Sequence, residues 1–515
     1  MTIRSVLMLV LAGLLSGVCA AAEPKSAPIS PQSAPQASPA DVKQEPEPEK
    51  ISSTKHSMKI GGATLNYTAT AGRLTLRDES GKARGDIFFT AYIMDQAVEK
   101  SRRPITFAFN GGPGASSVWL HLGAVGPKRV AVEDLDGSPS PPYSARENEY
   151  SWLPFTDLVF IDPVGTGYSR PAQGENGKQF YGIKEDLESV GEFIRLYTTR
   201  NERWLSPKFL AGESYGTFRA IGLADTLYES FGMEVNGLVL ISLAIDFQGF
   251  SFNLGNDLPY QLFLPSYACS AWYHKKLDPD LQEDFDRARK EAEEWALHEY
   301  AAALLEGDAI PDELKKKAME DLRRFTGLSE SSLQNSNLRV NRSVFMNELL
   351  RSEDLSLGLL DGRKVRRGRS GGFLTDPGMV ETLAPYVAVM NDYFRNELKY
   401  ETDLPYVFLS EEVNGQWNWG SGLHGYPSVL VRLQKVMRRN THLKILAAGG
   451  YFDLDTPYFG VKYAMNHLGL DASLRSNIRM SFYEGGHMLY TQVRSLQKLT
   501  GDVADFVASA VRGAK

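Results

Sequence analysis

The sequence predicts an α/β fold in which a mostly parallel central sheet is flanked by helices and carries a largely helical cap insertion. Three observations predict it. Short apolar runs of strand length each end in glycine or polar residues: Ile105–Phe109, Leu158–Asp162, Lys208–Ala211, Gly237–Ile241, Leu443–Ala448 and Ile478–Tyr483. Amphipathic helical stretches such as Glu185–Tyr197 and Phe218–Tyr228 separate several of them, the rhythm of parallel strands buried on both faces. From about Gly249 to Tyr400 that rhythm stops, and Leu281, Phe285, Ala288, Ala292 and Trp295 recur at spacings of three and four, the mark of an amphipathic helix.

The elements follow in chain order. Arg4 precedes the apolar stretch from Ser5 to Val18, which is too short for a membrane span, and Ala20-Ala21-Ala22 fits a small-x-small cleavage site. Residues 1–22 read as a cleaved secretory signal peptide, with a lipoprotein Cys19 or an uncleaved anchor as alternatives. Residues 23–55 hold seven prolines among Ser, Ala, Gln, Glu and Lys and are expected to form a disordered leader. Residues 56–248 are the first part of the sheet domain, opened by alternating strands at Leu65–Thr70 and Asp86–Ile93. Residues 249–400 are the cap, with a second helix at Asp312–Phe325 and a basic segment, Asp361–Arg369, expected as a solvated turn. Residues 401–515 complete the sheet domain.

Composition narrows the function classes. The 515 residues hold 43% hydrophobic and 23% charged residues, enough to bury a large core. Lys plus Arg is 56 and Asp plus Glu is 63, so a nucleic-acid partner is not expected. Beyond the signal no run of about 18 apolar residues occurs, so no membrane contact is expected after cleavage. The two cysteines, Cys19 and Cys269, exclude a disulfide scaffold and a cysteine-rich metal site; Cys269 is expected as a buried, inert thiol. There is no H-E-x-x-H, phosphate loop or nucleotide fingerprint, so neither cofactor nor metal is expected. Oligomeric state leaves no mark in the sequence.

Chemistry concentrates on three turns. Gly212-Glu213-Ser214-Tyr215-Gly216 fits G-x-S-x-G between an apolar strand and a helix. That is the setting of a nucleophile elbow, where flanking glycines leave room for a sharp turn that lifts the hydroxyl above the sheet. A serine needs a base, and in an α/β-hydrolase arrangement an acid and then a histidine follow it in the chain. Among His274, His298, His424, His442, His467 and His487, only His487 sits in a glycine loop after the last strand, Glu484-Gly-Gly-His-Met. Asp453 and Asp455, in Gly449-Gly-Tyr-Phe-Asp-Leu-Asp-Thr-Pro, both qualify by position as the acid. The third turn, Asn110-Gly-Gly-Pro-Gly-Ala-Ser-Ser, follows strand Ile105–Phe109. Its Gly112 N–H and the Tyr215 N–H are the natural pair of oxyanion donors.

Together with Asp162-Pro-Val-Gly-Thr-Gly-Tyr-Ser and Gly486-His-Met, these turns resemble the serine carboxypeptidase family of α/β-hydrolases. The resemblance implies Ser214 as nucleophile and His487 as base. It favours Asp453 as the acid, because the family's aspartate commonly lies four residues before a proline, here Pro457. It implies that Asn110 and Glu213 hold a peptide's terminal carboxylate. A glutamate can bind another carboxylate only while one of the two is protonated, so affinity should fall as pH rises through its titration. The chain departs from the family pattern at Ala108, Ala115 and Ala124, where tryptophan, cysteine and a second glutamate are usual.

The implied activity is a serine exopeptidase acting on the C-terminal residues of peptides, in an exported bacterial member, periplasmic or secreted. An esterase, acyltransferase or aminopeptidase would use the same triad, and a binding protein on a hydrolase scaffold would use none of it. Trp417, Trp419, Glu411 and Glu412, just after the cap, are candidates for lining the substrate pocket.

Overall fold

The structure, a computed structural model, describes residues 49–95, 99–131, 139–369, 371–420 and 425–512. The expected signal peptide and residues 23–48 of the expected leader lie outside them. The leader's end does not: Ile51–Ile60 forms strand β1, so ordered chain begins before residue 56. β1 pairs antiparallel with β2 (Ala63–Arg77) across a two-residue turn of Gly61 and Gly62, at φ 57° and 82°. Positive φ at both positions is what a tight hairpin turn demands. β2 pairs in turn with β3 (Ala83–Met94).

The remaining strands of the sheet are β4 (Ile105–Phe109), β5 (Asp157–Asp162), β6 (Lys208–Ser214), β7 (Gly237–Leu243), β8 (Lys444–Gly450) and β9 (Ile478–Tyr483). Their spatial order is β1-β2-β3-β5-β4-β6-β7-β8-β9, with the short strand Arg170–Pro171 beside β3. From β5 to β9 every pairing is parallel. β4, β5 and β7 are buried at every position, which explains their unbroken apolar runs. The chain lays β5 on one side of β4 and β6 on the other. That reversal opens a crevice at the carboxyl ends of β4 and β6, the usual ligand position in open α/β sheets.

Helices cover both faces. The larger ones are α1 (Ile183–Arg200), α2 (Tyr215–Phe231), α3 (Leu258–Tyr273), α4 (Phe285–Leu297), α5 (Asp312–Thr326), α6 (Pro377–Asp392), α7 (Leu430–Arg439), α8 (Tyr458–Asn466) and α9 (Val493–Arg512). One face packs Leu187, Phe193, Leu223 and Leu433 of α1, α2 and α7 against Phe107, Leu210 and Leu240. The other packs Met379, Tyr386, Val503 and Phe506 of α6 and α9 against Phe209, Val239 and Leu446.

Between β7 and β8 the chain is mainly helical, and α3, α4 and α5 share a core of their own with Phe452 and Tyr458. The periodic stretch from Leu281 to Trp295 is interrupted: Pro279–Gln282 forms one turn, and Asp284 caps α4 by accepting from the Arg287 N–H. α6 belongs to the sheet's core instead of the α3–α5 core. The segment expected as a solvated basic turn is solvated only in its second half, where Arg367 and Arg369 are exposed. Val365–Arg367 pairs with Leu355–Leu357, and Arg363 lies over the Phe452 ring while pairing with Asp361. Cys269 is buried and free, and burial pushes its thiol titration up. Among the described residues no helix is long and apolar enough to cross a membrane.

Candidate active site

Strand β6 ends at Ser214 and α2 starts at Tyr215. Ser214 has φ 58° and ψ −130°, a strained backbone for a serine. The sequence around it permits the turn. A methyl group at Gly212 would lie 2.1 Å from the Gly216 carbonyl oxygen, and one at Gly216 would lie 2.8 Å from that of Phe109. Because Phe109 pairs with Gly212, the Asn110 turn emerges beside the elbow. Gly111 seals the contact: a Cβ there would meet the Tyr215 nitrogen at 2.4 Å. Gly112 has φ 100°. The Gly112 and Tyr215 amides, the expected oxyanion donors, donate to no turn or loop carbonyl among the described residues.

The acid and histidine loops leave β8 and β9, which are neighbours. A methyl group at Gly450 would lie 2.2 Å from the Gly486 carbonyl oxygen, so the two loops lie backbone against backbone. His487 Nδ1 is 2.9 Å from Asp453 Oδ2. Asp453 is fully buried, and its other oxygen accepts from the N–H groups of Asp455 and Thr456, each at 2.8 Å. Asp455 instead pairs with Arg342 at 2.8 Å. Burial opposes a charge on the imidazole, but the Asp453 carboxylate prevails, with Asp455 and Glu213 behind it, and the His487 titration is raised. Ser214 and His487 face one cavity of about 100 Å³. The ring's own hydrogen bonds run from Nδ1 to Asp453 and Thr456, and none joins it to the Ser214 hydroxyl. Such bonds are commonly loose before substrate arrives.

Glu213 and Asn110 line the same cavity. The Asn110 amide donates to Glu213 Oε2 at 2.9 Å, and its carbonyl oxygen Oδ1 accepts from the Leu120 N–H. Below them Arg219, paired with Asp186 at 2.8 Å, donates to the Asn110 main-chain carbonyl at 2.7 Å. Among the described residues no lysine or arginine pairs with Glu213, and His487 is the cationic group that faces it. Burial raises its titration to about 7, against the lowering pull of His487, Tyr490 and Asn110. Trp119, Leu360, Phe373, Met379, Leu409 and Met488 complete the cavity as an apolar wall.

Several contributors carry no motif. Thr456 donates to Asp453 Oδ2 at 2.6 Å. Ser242, at φ 51° in a bulge of β7, donates to the His487 carbonyl at 2.6 Å. Tyr490 donates to Glu213 Oε2 at 2.7 Å. The one sequence signal for Tyr490 is its place three residues after His487. Asp162, at the end of β5, accepts from the Ser117 N–H and the Tyr406 hydroxyl, each at 2.8 Å, and so ties the end of the Asn110–Ser117 segment to the sheet. Trp417 and Trp419 do not line the cavity. Both set their rings edge-on to Tyr215, and Glu411 and Glu412 are exposed at the start of a short helix.

The chain is 30% identical over 178 residues to the pheromone-processing carboxypeptidase KEX1 of Yarrowia lipolytica, an alignment covering 34% of this chain and 26% of that protein. With the Saccharomyces cerevisiae protein of the same name it is 35% identical over 156 residues, 28% of this chain and 20% of the other. The chain thus spans about a quarter of the length of these relatives. Among solved structures, the prohormone-processing carboxypeptidase Kex1Δp of S. cerevisiae superimposes with a TM-score of 0.55, at 18% identity, over 85% of this chain and 91% of that one. This likeness is one of fold. The serine carboxypeptidase family model matches residues 62–367, more than half of the chain, and this protein belongs to that family.

Proposed function

We propose that the protein is a serine exopeptidase that removes C-terminal residues from peptides through an acyl-enzyme. Ser214 attacks the scissile carbonyl while His487 takes its proton, and the same imidazole later returns the proton to the leaving amine. Asp453 holds the ring with its proton on Nδ1, so that Nε2 is free to act as base. The Gly112 and Tyr215 amides receive the oxyanion. Asn110 and a protonated Glu213 bind the terminal carboxylate of the peptide. The observation that carries this reading is the buried Glu213, hydrogen-bonded to Asn110 on the cavity that Ser214 and His487 share. A carboxyl group so placed can keep its proton near neutral pH and donate it to an anion.

The reading also makes the protein an exported one, periplasmic or secreted; its support is the charged-then-apolar pattern of residues 1–22. The test of the activity is hydrolysis of N-blocked dipeptides by the wild type and by Ser214→Ala. Loss of turnover in the variant is expected, and equal rates would end the proposal. Paired substrates with free and amidated C-termini then separate an exopeptidase from an esterase or a broader acyl hydrolase, because only the free acid engages Asn110 and Glu213.

A further inference from the structure

The Glu213 carboxyl group is engaged on one oxygen only. Oε2 accepts from the Asn110 amide at 2.9 Å and from the Tyr490 hydroxyl at 2.7 Å. Among the described residues Oε1 has no hydrogen-bond partner, and Glu213 lines the cavity. Two donors on one carboxyl oxygen disfavour a proton there and leave it to the other oxygen. The Tyr490 ring is held for this task. A methyl group at Gly123 would lie 2.7 Å from its Cε2 and 2.6 Å from the Tyr386 hydroxyl, so Gly123 makes the space in which both phenols stand. Tyr490 itself is 2% exposed and lies on the short helix Leu489–Thr491, directly after the His487 loop.

We propose that Tyr490 is a positioning residue which, with Asn110, fixes Oε1 of Glu213 as the oxygen that presents a proton to the peptide's terminal carboxylate. The inference rests on the carboxylate-binding reading above and adds to it the residue that orients the donor. It also bears on pH. Glu213 is faced by His487 and Asp453 from the catalytic loops, by Tyr490 and Asn110 through hydrogen bonds, and by Tyr386 from α6. Of the two hydrogen-bond donors, Tyr490 is the one replaceable by an isosteric side chain without the hydroxyl. A phenol donating to a carboxylate favours its ionised form. Removing that donor leaves Glu213 protonated to higher pH.

The experiment measures kcat and KM from pH 5 to 9 for wild type, Tyr490→Phe, Glu213→Gln and the double variant, on matched peptides with free and amidated C-termini. In the wild type, KM for the free acid is expected to rise as pH passes through the Glu213 titration. In Tyr490→Phe that rise should move up by about one pH unit, with kcat changed far less and the amidated peptide unaffected. In the Glu213→Gln background the phenylalanine should move no pH limb, since its effect travels through Glu213. A wild type that treats free and amidated peptides alike overturns the carboxylate reading and this inference with it. A discriminating wild type whose KM limb stays put in Tyr490→Phe, or a limb that still moves without Glu213, overturns the role of Tyr490 alone. Circular dichroism and thermal unfolding of each variant establish that the folded proteins are being compared.

Discussion

His487 Nδ1 stands 2.9 Å from Asp453 Oδ2, while Asp455, two residues along, turns its carboxylate to Arg342. Adjacent acids on one loop therefore have different partners. Asp453 is fixed by two main-chain N–H groups and the Thr456 hydroxyl before it meets the ring.

From this difference, Asp453→Asn should lower kcat by roughly 10³–10⁴-fold, because the amide no longer holds the proton on Nδ1. Asp455→Asn should leave kcat within about tenfold, since Asp455 makes no hydrogen bond to the ring. Steady-state kinetics of both variants on one blocked dipeptide decide it; equal losses would contradict the assignment.

Gly111→Ala tests the oxyanion turn without touching a polar side chain. The added methyl would lie 2.4 Å from the Tyr215 nitrogen and 2.7 Å from that of Gly216. The Asn110 turn must then move off the elbow, and both expected oxyanion donors shift. A fall in kcat of roughly 10²–10³-fold, the usual loss for an impaired oxyanion donor, is expected. Retention of wild-type kcat would show that the turn does not serve the reaction.

Arg219 and Asp186 form a pair with 1% exposure on each side chain, wedged beneath Asn110. Arg219→Leu strands the Asp186 carboxylate and frees the Asn110 carbonyl. The expected loss is about 3–5 kcal/mol of stability, read as a lowered denaturant midpoint. A double replacement, Arg219→Leu with Asp186→Leu, should recover part of it, because no uncompensated charge remains.

Two buried carboxyl groups give the stability a pH dependence of defined sign. Burial raises Asp162 from 3.8 to about 6 and Glu213 from 4.5 to about 7. Each folded-state value lies above the unfolded one, so the folded state binds the proton more tightly. The contribution is complete below the unfolded value and is lost as pH rises through the folded one. Asp162→Asn should therefore remove a decline in Tm between about pH 4 and 6, and Glu213→Gln one between about 4.5 and 7. Thermal melts across pH measure the slopes, and unchanged slopes would contradict the burial argument.

The central parallel strands were legible because their burial on both faces writes them as unbroken apolar runs, whereas the edge strand Ile478–Tyr483 exposes Arg479 and Met480. Ile105–Phe109 and Ile478–Tyr483 match to the residue. The apolar run Lys208–Ala211 stops three residues short of the strand, since Gly212, Glu213 and Ser214 are strand by pairing with β7 and not by composition. The elbow, the glycine turn and the His487 loop were legible for a steric reason: each needs glycine where a Cβ would strike backbone. What stayed hidden depends on contacts between distant segments. Tyr490 reaches Glu213 across 277 positions, and Ser242 acquires its role from a bulge that no residue pattern announces. Trp417 and Trp419, read as possible pocket walls, brace Tyr215 from behind, and aromatic residues near a site look alike in sequence whichever side they take.

The proposed reaction requires the Ser214 hydroxyl to become a nucleophile through His487. The most direct measurement is covalent labelling by a fluorophosphonate, followed by mass spectrometry of the modified peptide and assay of the remaining activity. One adduct on Ser214, formed in step with the loss of peptidase activity and absent from His487→Ala, is the expected result. Inactivation with the adduct on another residue, or labelling of Ser214 undiminished without His487, would contradict it.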